Sequence, residues 1–271
     1  MKEAKLLLWV GDAPNQRALA CKIAAEFPVA GIVIDQKATG KKTSRWKRYR
    51  TALESRLFFK LIRDAWQQLQ QNYSRQFPEW PAVPILRVGS INSEEAFTFS
   101  QQLAPDLVIV SGTGLIRQQM LSLAPSMGII NLHTGLSPYV KGGPNCTNWC
   151  IATGQYGLIG NTIMWINEGI DSGNIITSER TGLKGLTSLA DTQWRVMEHA
   201  HSLYLMAIRY LLNTPAPYIS VSQASIAKGN LYLTRQWNAA AQRKLLANLS
   251  DFFRFAAEEQ AVEVKTVPLK K

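Results

Sequence analysis

Asp106-Leu107-Val108-Ile109-Val110-Ser111-Gly112-Thr113-Gly114 decides how this chain folds. Four apolar residues in a row, with no polar alternation, stand between Asp106 and a Gly-Thr-Gly turn. Such a run fits a strand buried on both faces, as in a parallel sheet. Gly128-Ile129-Ile130-Asn131 repeats the pattern downstream, residues 6–10 and 29–34 repeat it upstream, and 84–88 reads as a short strand. Between them, residues 16–26, 93–103 (opened by Ser93 as N-cap) and 117–123 read as helices. Strand, helix, strand in this order predicts an α/β fold: a doubly wound, mainly parallel sheet with right-handed crossovers.

The second half changes character. Residues 145–153 read as a helix behind the Gly142-Gly143-Pro144 turn, and strands at 161–166 and 174–180 flank a tight loop at 168–173. Ser188 and Asp191 open a strong helix running to 213, with Trp194, Met197, Leu203, Leu205 and Ile208 on its apolar flanks. Residues 214–271 read as a small α+β extension, with a hairpin at 218–234 and a basic amphipathic helix at 238–257. The division expected is therefore a domain at 1–213, carrying a basic helical insertion at about 37–72, and an extension at 214–271.

The chain has 271 residues, 46% of them apolar, enough to bury a full core. No apolar run reaches the roughly 18 residues of a membrane-spanning helix. The N-terminal apolar run is short for a signal peptide core, with no small-residue cleavage site after it. Cys21, Cys146 and Cys150 form no Cys-x-x-Cys pair, which fits a reduced, cytoplasmic protein with cysteines used for packing and no metal site. The net charge of +11 is uneven: residues 37–63 hold ten basic residues against the single acid Glu54. Trp46 and Tyr49 lie among them, so a solvated helix, an attractor of anionic small molecules and a nucleic-acid contact all remain open.

Chemistry concentrates at Asn131, His133 and Asp171. The first two end a strand, where ligands of α/β sheets bind, and Asp171 sits in the loop at 168–173. An amide can donate to an oxyanion, an imidazole can move a proton, and a carboxylate can orient the imidazole. His199 and His201, two apart on a helix, face different directions and cannot share one metal. Gly11 and Asn15 follow the first strand, where backbone N–H groups of the next helix can hold an anion. Their spacing is no dinucleotide fingerprint.

Asn131-Leu132-His133-Thr134-Gly135-Leu136-Ser137-Pro138 resembles the motif Asn-x-His-x-Ser-Leu-Leu-Pro of the 10-formyltetrahydrofolate-dependent formyltransferases. Gly160-Asn161-Thr162-Ile163-Met164 and Asp171-Ser172-Gly173-Asn174-Ile175-Ile176 resemble that family's Gly-x-Thr-x-His and Asp-x-Gly-x-Ile-Ile elements. Lys141-Gly142 and Trp149-Cys150-Ile151 fill the space between with similar pieces. Gly135, Ser137 and Met164 depart from the pattern, where the family has Ser, Leu and His.

The resemblance implies a Rossmann-like fold and an enzyme of one-carbon metabolism, with Asn131, His133 and Asp171 catalytic. The formyl donor would be 10-formyltetrahydrofolate, its pterin held between Gly114, Leu115, Ile116 and the loop of Asn167, Glu168, Gly169 and Ile170. The acceptor would be a small, anionic primary amine, expected on a nucleotide-linked amino sugar, with its phosphates near Gly11, Asn15 and Lys141, Gly142, Gly143. Glycinamide ribonucleotide and methionyl-tRNA are alternative acceptors. Hydrolysis of the donor, or folate binding without catalysis, is a further alternative.

Overall fold

The computed structural model describes residues 4–36, 59–143, 145–258 and 262–269. Most of the basic stretch, residues 37–58, lies outside them, and so does the first part of the long helix expected there. Nine strands are described: β1 (Leu6–Gly11), β2 (Val29–Asp35), β3 (Ile85–Val88), β4 (Leu107–Ser111), β5 (Gly128–His133), β6 (Val140–Gly142), β7 (Gly160–Trp165), β8 (Ile175–Arg180) and β9 (Asn230–Tyr232). The described α-helices are α1 (Pro14–Glu26), α2 (Lys60–Gln76), α3 (Glu94–Leu103), α4 (Gln118–Leu121), α5 (Cys146–Ala152), α6 (Leu189–Asn213) and α7 (Ala239–Glu258).

Seven strands form one sheet in the order β3-β2-β1-β4-β5-β7-β8. The first five run parallel, and β7 and β8 are antiparallel additions. The chain winds outward from β1 in both directions, so the strand order reverses between β1 and β4. This is the doubly wound α/β architecture expected.

The apolar runs are continuous because helices cover both faces. Leu6, Leu8 and Val10 pack with Leu19 and Ile23 of α1 and with Leu203, Tyr204 and Ile208 of α6. Leu7 and Trp9, pointing the other way, pack with Ala96 of α3 and Met120 of α4. Each fully buried side chain of this size contributes roughly 1.5–3 kcal/mol. The caps form as the sequence suggests: Ser93 accepts from the Ala96 N–H and Ser188 from the Asp191 N–H.

Tyr204 ties α6 to the sheet at the point where the site is built. Its hydroxyl lies 2.9 Å from the Ile130 carbonyl oxygen and accepts the Val110 N–H at 3.0 Å. It bridges the carboxyl ends of β4 and β5, just before Asn131.

The extension departs from expectation. No hairpin forms at 218–234. Val221 instead bridges to Ile175 at the sheet edge, and β9 pairs in parallel with β6. The physical reason is edge coverage: β6 and the edge strand β8 offer unpaired backbone groups, and Tyr218 and Tyr232 find apolar surface on the main body rather than on each other. The terminal segment adds a second patch, with Ser178 donating to the Val267 carbonyl at 2.8 Å. Helix α7 lies close to its expected span and shares a core with α5 through Leu245, Phe252 and Ala256. Among the described residues no helix is long and apolar enough to cross a membrane.

Candidate active site

The two motifs meet because β5 and β7 are antiparallel neighbours. Asn131 stands opposite Met164, and His133 opposite Thr162. The Thr162 hydroxyl donates to the Gly135 carbonyl at 2.8 Å and accepts the Ser137 N–H at 2.9 Å. One buried side chain of the second motif thus fixes the turn of the first. Ser137, where the family has Leu, leaves a buried hydroxyl without a partner among the described residues.

His133 is buried, and both of its ring nitrogens face protein groups. Nε2 lies 2.9 Å from the Val140 carbonyl oxygen and 3.6 Å from Cys146 Sγ. Nδ1 lies 3.3 Å from Asp171 Oδ2, which also accepts the Gly142 N–H at 2.8 Å. Burial is the largest influence and disfavours a charged ring, but the Asp171 carboxylate, Cys146 and the Val140 carbonyl together outweigh it. The pKa of His133 is held up at about 10. At neutral pH the ring is an imidazolium donating from both nitrogens.

Asn131 and Asp171 border a cleft of about 360 Å³ at the carboxyl ends of β4 and β5. The Asn131 side chain makes no hydrogen bond among the described residues. Gly114, Leu115 and Ile116 line the cleft together with Asn167, Gly169 and Ile170, and Gly142 and Gly143 also border it. Glu168 and Lys141 are adjacent in the chain but do not line it. Asp171 is the only charged side chain among the described lining residues.

Gly11 and Asn15 do not border this cleft. Asn15 is buried, and its amide is spent on Gln70, 3.1 Å away, and on Met197 Sδ at 3.7 Å. The neighbouring Asp12 and Asp35 carboxylates bind Arg87 and the Gly114 N–H, so this corner is furnished with acids rather than anion donors. His199 and His201 diverge as expected: His199 meets Glu179 at 3.3 Å, whereas His201 is buried beside Lys22. Cys146 and Cys150 are both buried in α5.

Sequence reading missed the part of the site that the extension supplies. Tyr232, Leu233 and Thr234 line the cleft, and Tyr232 stacks on Trp149 with ring centroids 4.5 Å apart. Gln223 reaches the Asp171 loop from the same segment. No motif marks these residues, and the expected hairpin would have paired them within the segment 218–234.

Residues 70–208, about half of the chain, match the family described as Formyl transferase. The chain belongs to the formyl transferase family. A methionyl-tRNA formyltransferase of Syntrophus aciditrophicus is 29% identical over 135 residues, covering 50% of this chain and 43% of that protein. The chain thus spans under half the length of this relative.

Among solved structures, a 4-N formyltransferase from Francisella tularensis is similar with a TM-score of 0.55 at 17% identity, covering 90% of this chain and 87% of that one. An N-formyltransferase from Helicobacter canadensis, complexed with folinic acid and dTDP-3-aminofucose, gives 0.52 at 13%, covering 88% and 78%. At these identities the likeness establishes the fold. Asn131, His133 and Asp171 all fall inside the matched stretch, while Gln223 and Tyr232 lie beyond it.

Proposed function

We propose that this protein transfers the formyl group of 10-formyltetrahydrofolate to a primary amine on a nucleotide-linked amino sugar. The observation that carries this reading is the buried His133–Asp171 pair, 3.3 Å apart, with its carboxylate bordering the cleft that Asn131 also borders. In the reaction the amine nitrogen bonds to the formyl carbon, the bond from that carbon to the folate nitrogen breaks, and one proton passes from amine to folate. Asn131 donates its amide N–H to the oxyanion, an interaction typically worth about 3 kcal/mol. An imidazolium cannot take the amine's proton. Asp171, bordering the cleft, takes it and passes it to the folate nitrogen as that nitrogen leaves the formyl carbon, while the buried His133 holds the Asp171 carboxylate in place.

The donor's flat ring suits the opposed segments 114–116 and 167–170. Leu115 and Ile170 line the cleft 55% and 44% exposed, which favours an apolar ring between them. The neighbour complexed with folinic acid and an amino sugar nucleotide supports this pairing of ligands. With no basic side chain among the described lining residues, phosphates would sit at the rim, near Lys141, and not at Gly11–Asn15 as the sequence suggests.

A tRNA acceptor is favoured by one finding, the methionyl-tRNA formyltransferase relative. Two measurements separate the readings. Incubation with isotope-labelled 10-formyltetrahydrofolate and an amine panel should give a formylated amino sugar nucleotide by mass spectrometry. Release of formate alone would contradict transfer. Tight tRNA binding that is steeply salt-dependent, and lost when the 37–63 charges are neutralised, would overturn the small-molecule acceptor.

A further inference from the structure

Asp171 is held from two sides. From the family domain, His133 Nδ1 and the Gly142 N–H engage its carboxylate at 3.3 and 2.8 Å. From the extension, Gln223 Nε2 donates to the carbonyls of Asp171 and Gly173, both at 2.8 Å. Only an amide nitrogen can serve two carbonyl acceptors, so these contacts fix which way the Gln223 amide faces.

The turn needs such a brace. Asp171 sits at φ 46°, in the left-handed region that a residue with a Cβ rarely adopts. Gln223 is itself anchored: Val221, two residues earlier, exchanges two backbone hydrogen bonds of 2.8 Å with Ile175, which opens β8. Gln223 is 7% exposed, and its Oε1 is buried without a partner among the described residues. A buried amide that leaves its oxygen unpaired is a poor choice for packing alone, since a hydrocarbon of that size would fill the space without a stranded acceptor.

We infer that Gln223 is a positioning residue, which holds the turn from Asp171 to Gly173 so that the Asp171 carboxylate stays against His133 at the cleft. The extension is then a working part of the site. The inference rests on the reading of Asp171 and His133 as the reacting pair. Gln223 touches no reacting atom and acts through the Asp171 backbone.

Gln223→Met keeps the length and removes the donor. Its kcat should fall about tenfold or more, a share of the 10²–10⁴-fold that acid–base groups supply, while KM for the amine stays within about twofold. Nitrogen-15 spectra of the His133 ring provide a readout that does not need turnover. The groups facing that ring are Asp171, Cys146 and the Val140 carbonyl, and only the Asp171 contact should weaken, shifting the Nδ1 signal. Gln223→Asn, which retains an amide but falls short, should behave the same way. In the wild-type protein the Gln223 side-chain N–H protons should exchange slowly with solvent.

A lower melting temperature with unchanged kcat and an unchanged ring signal would reduce Gln223 to a structural role and overturn the inference. So would fast exchange of the wild-type amide protons, which decides the matter if both variants fail to fold. If the wild-type protein transfers no formyl group, the functional reading fails alone. A shifted Nδ1 signal in Gln223→Met would then still support the brace.

Discussion

Gly135 replaces the family's Ser, and the structure gives that departure a consequence. A Cβ at this position would collide with His133 Nε2 and stand 3.0 Å from the Cys146 Cβ. Glycine therefore leaves room for the imidazole to lie against Val140 and Cys146. Gly135→Ala should destabilise the protein by about 1–3 kcal/mol, the usual cost of overpacking a core, read as a lower urea midpoint. An unchanged midpoint would mean that the ring is not confined there. The buried histidines also predict opposite pH dependences. His133 has a folded pKa raised to about 10, so its contribution to stability is full below about 6.5 and is lost as pH rises towards 10. His201 is pushed down to about 3 by burial and then by Lys22, so its contribution is full above about 6.5 and is lost as pH falls towards 3. Melting temperature against pH should lose its alkaline slope in Asp171→Asn and flatten on the acid side in His201→Gln. Slopes that match the wild type in both variants would contradict these assignments. The sequence identified His133 through its motif. It could not reveal the ring's setting, because the groups that set it (Gly135, Val140, Cys146) are assembled only by the fold.

The pairing of β5 with β7 is what turns two motifs into one site, and Thr162 is its fastener. Thr162→Val keeps the shape but strands the Gly135 carbonyl and the Ser137 N–H, both bonded to its hydroxyl at 2.8–2.9 Å. Each buried orphan costs about 1–3 kcal/mol, so a clear loss in urea stability is expected. A neutral substitution would show that water or another group replaces the hydroxyl. The parallel strands were readable because burial on both faces leaves an unbroken apolar signature, as in Leu6–Gly11. Helices α3 and α6 were readable from their Ser caps. The segment 218–234 was not, because its partners β6 and β8 are far off in sequence.

The extension and the family domain share one core, in which Leu245, Phe252 and Ala256 pack with Cys150 and Ile151. The protein should therefore unfold in a single cooperative step, with fluorescence and circular dichroism transitions coinciding. An earlier, separate transition for the extension would contradict this shared core. The same arrangement brings Tyr232 to a cleft whose motif residues all lie between 131 and 176, and Gln223 to the Asp171 turn behind it. The most direct test of the account is single-turnover transfer from carbon-13 10-formyltetrahydrofolate to an amino sugar nucleotide, comparing wild-type protein with Asp171→Asn. The account predicts a formylated amine from the wild type and at least about a hundredfold slower formation by the variant. Equal rates from the two proteins, or labelled formate as the sole product of the wild type, would contradict it.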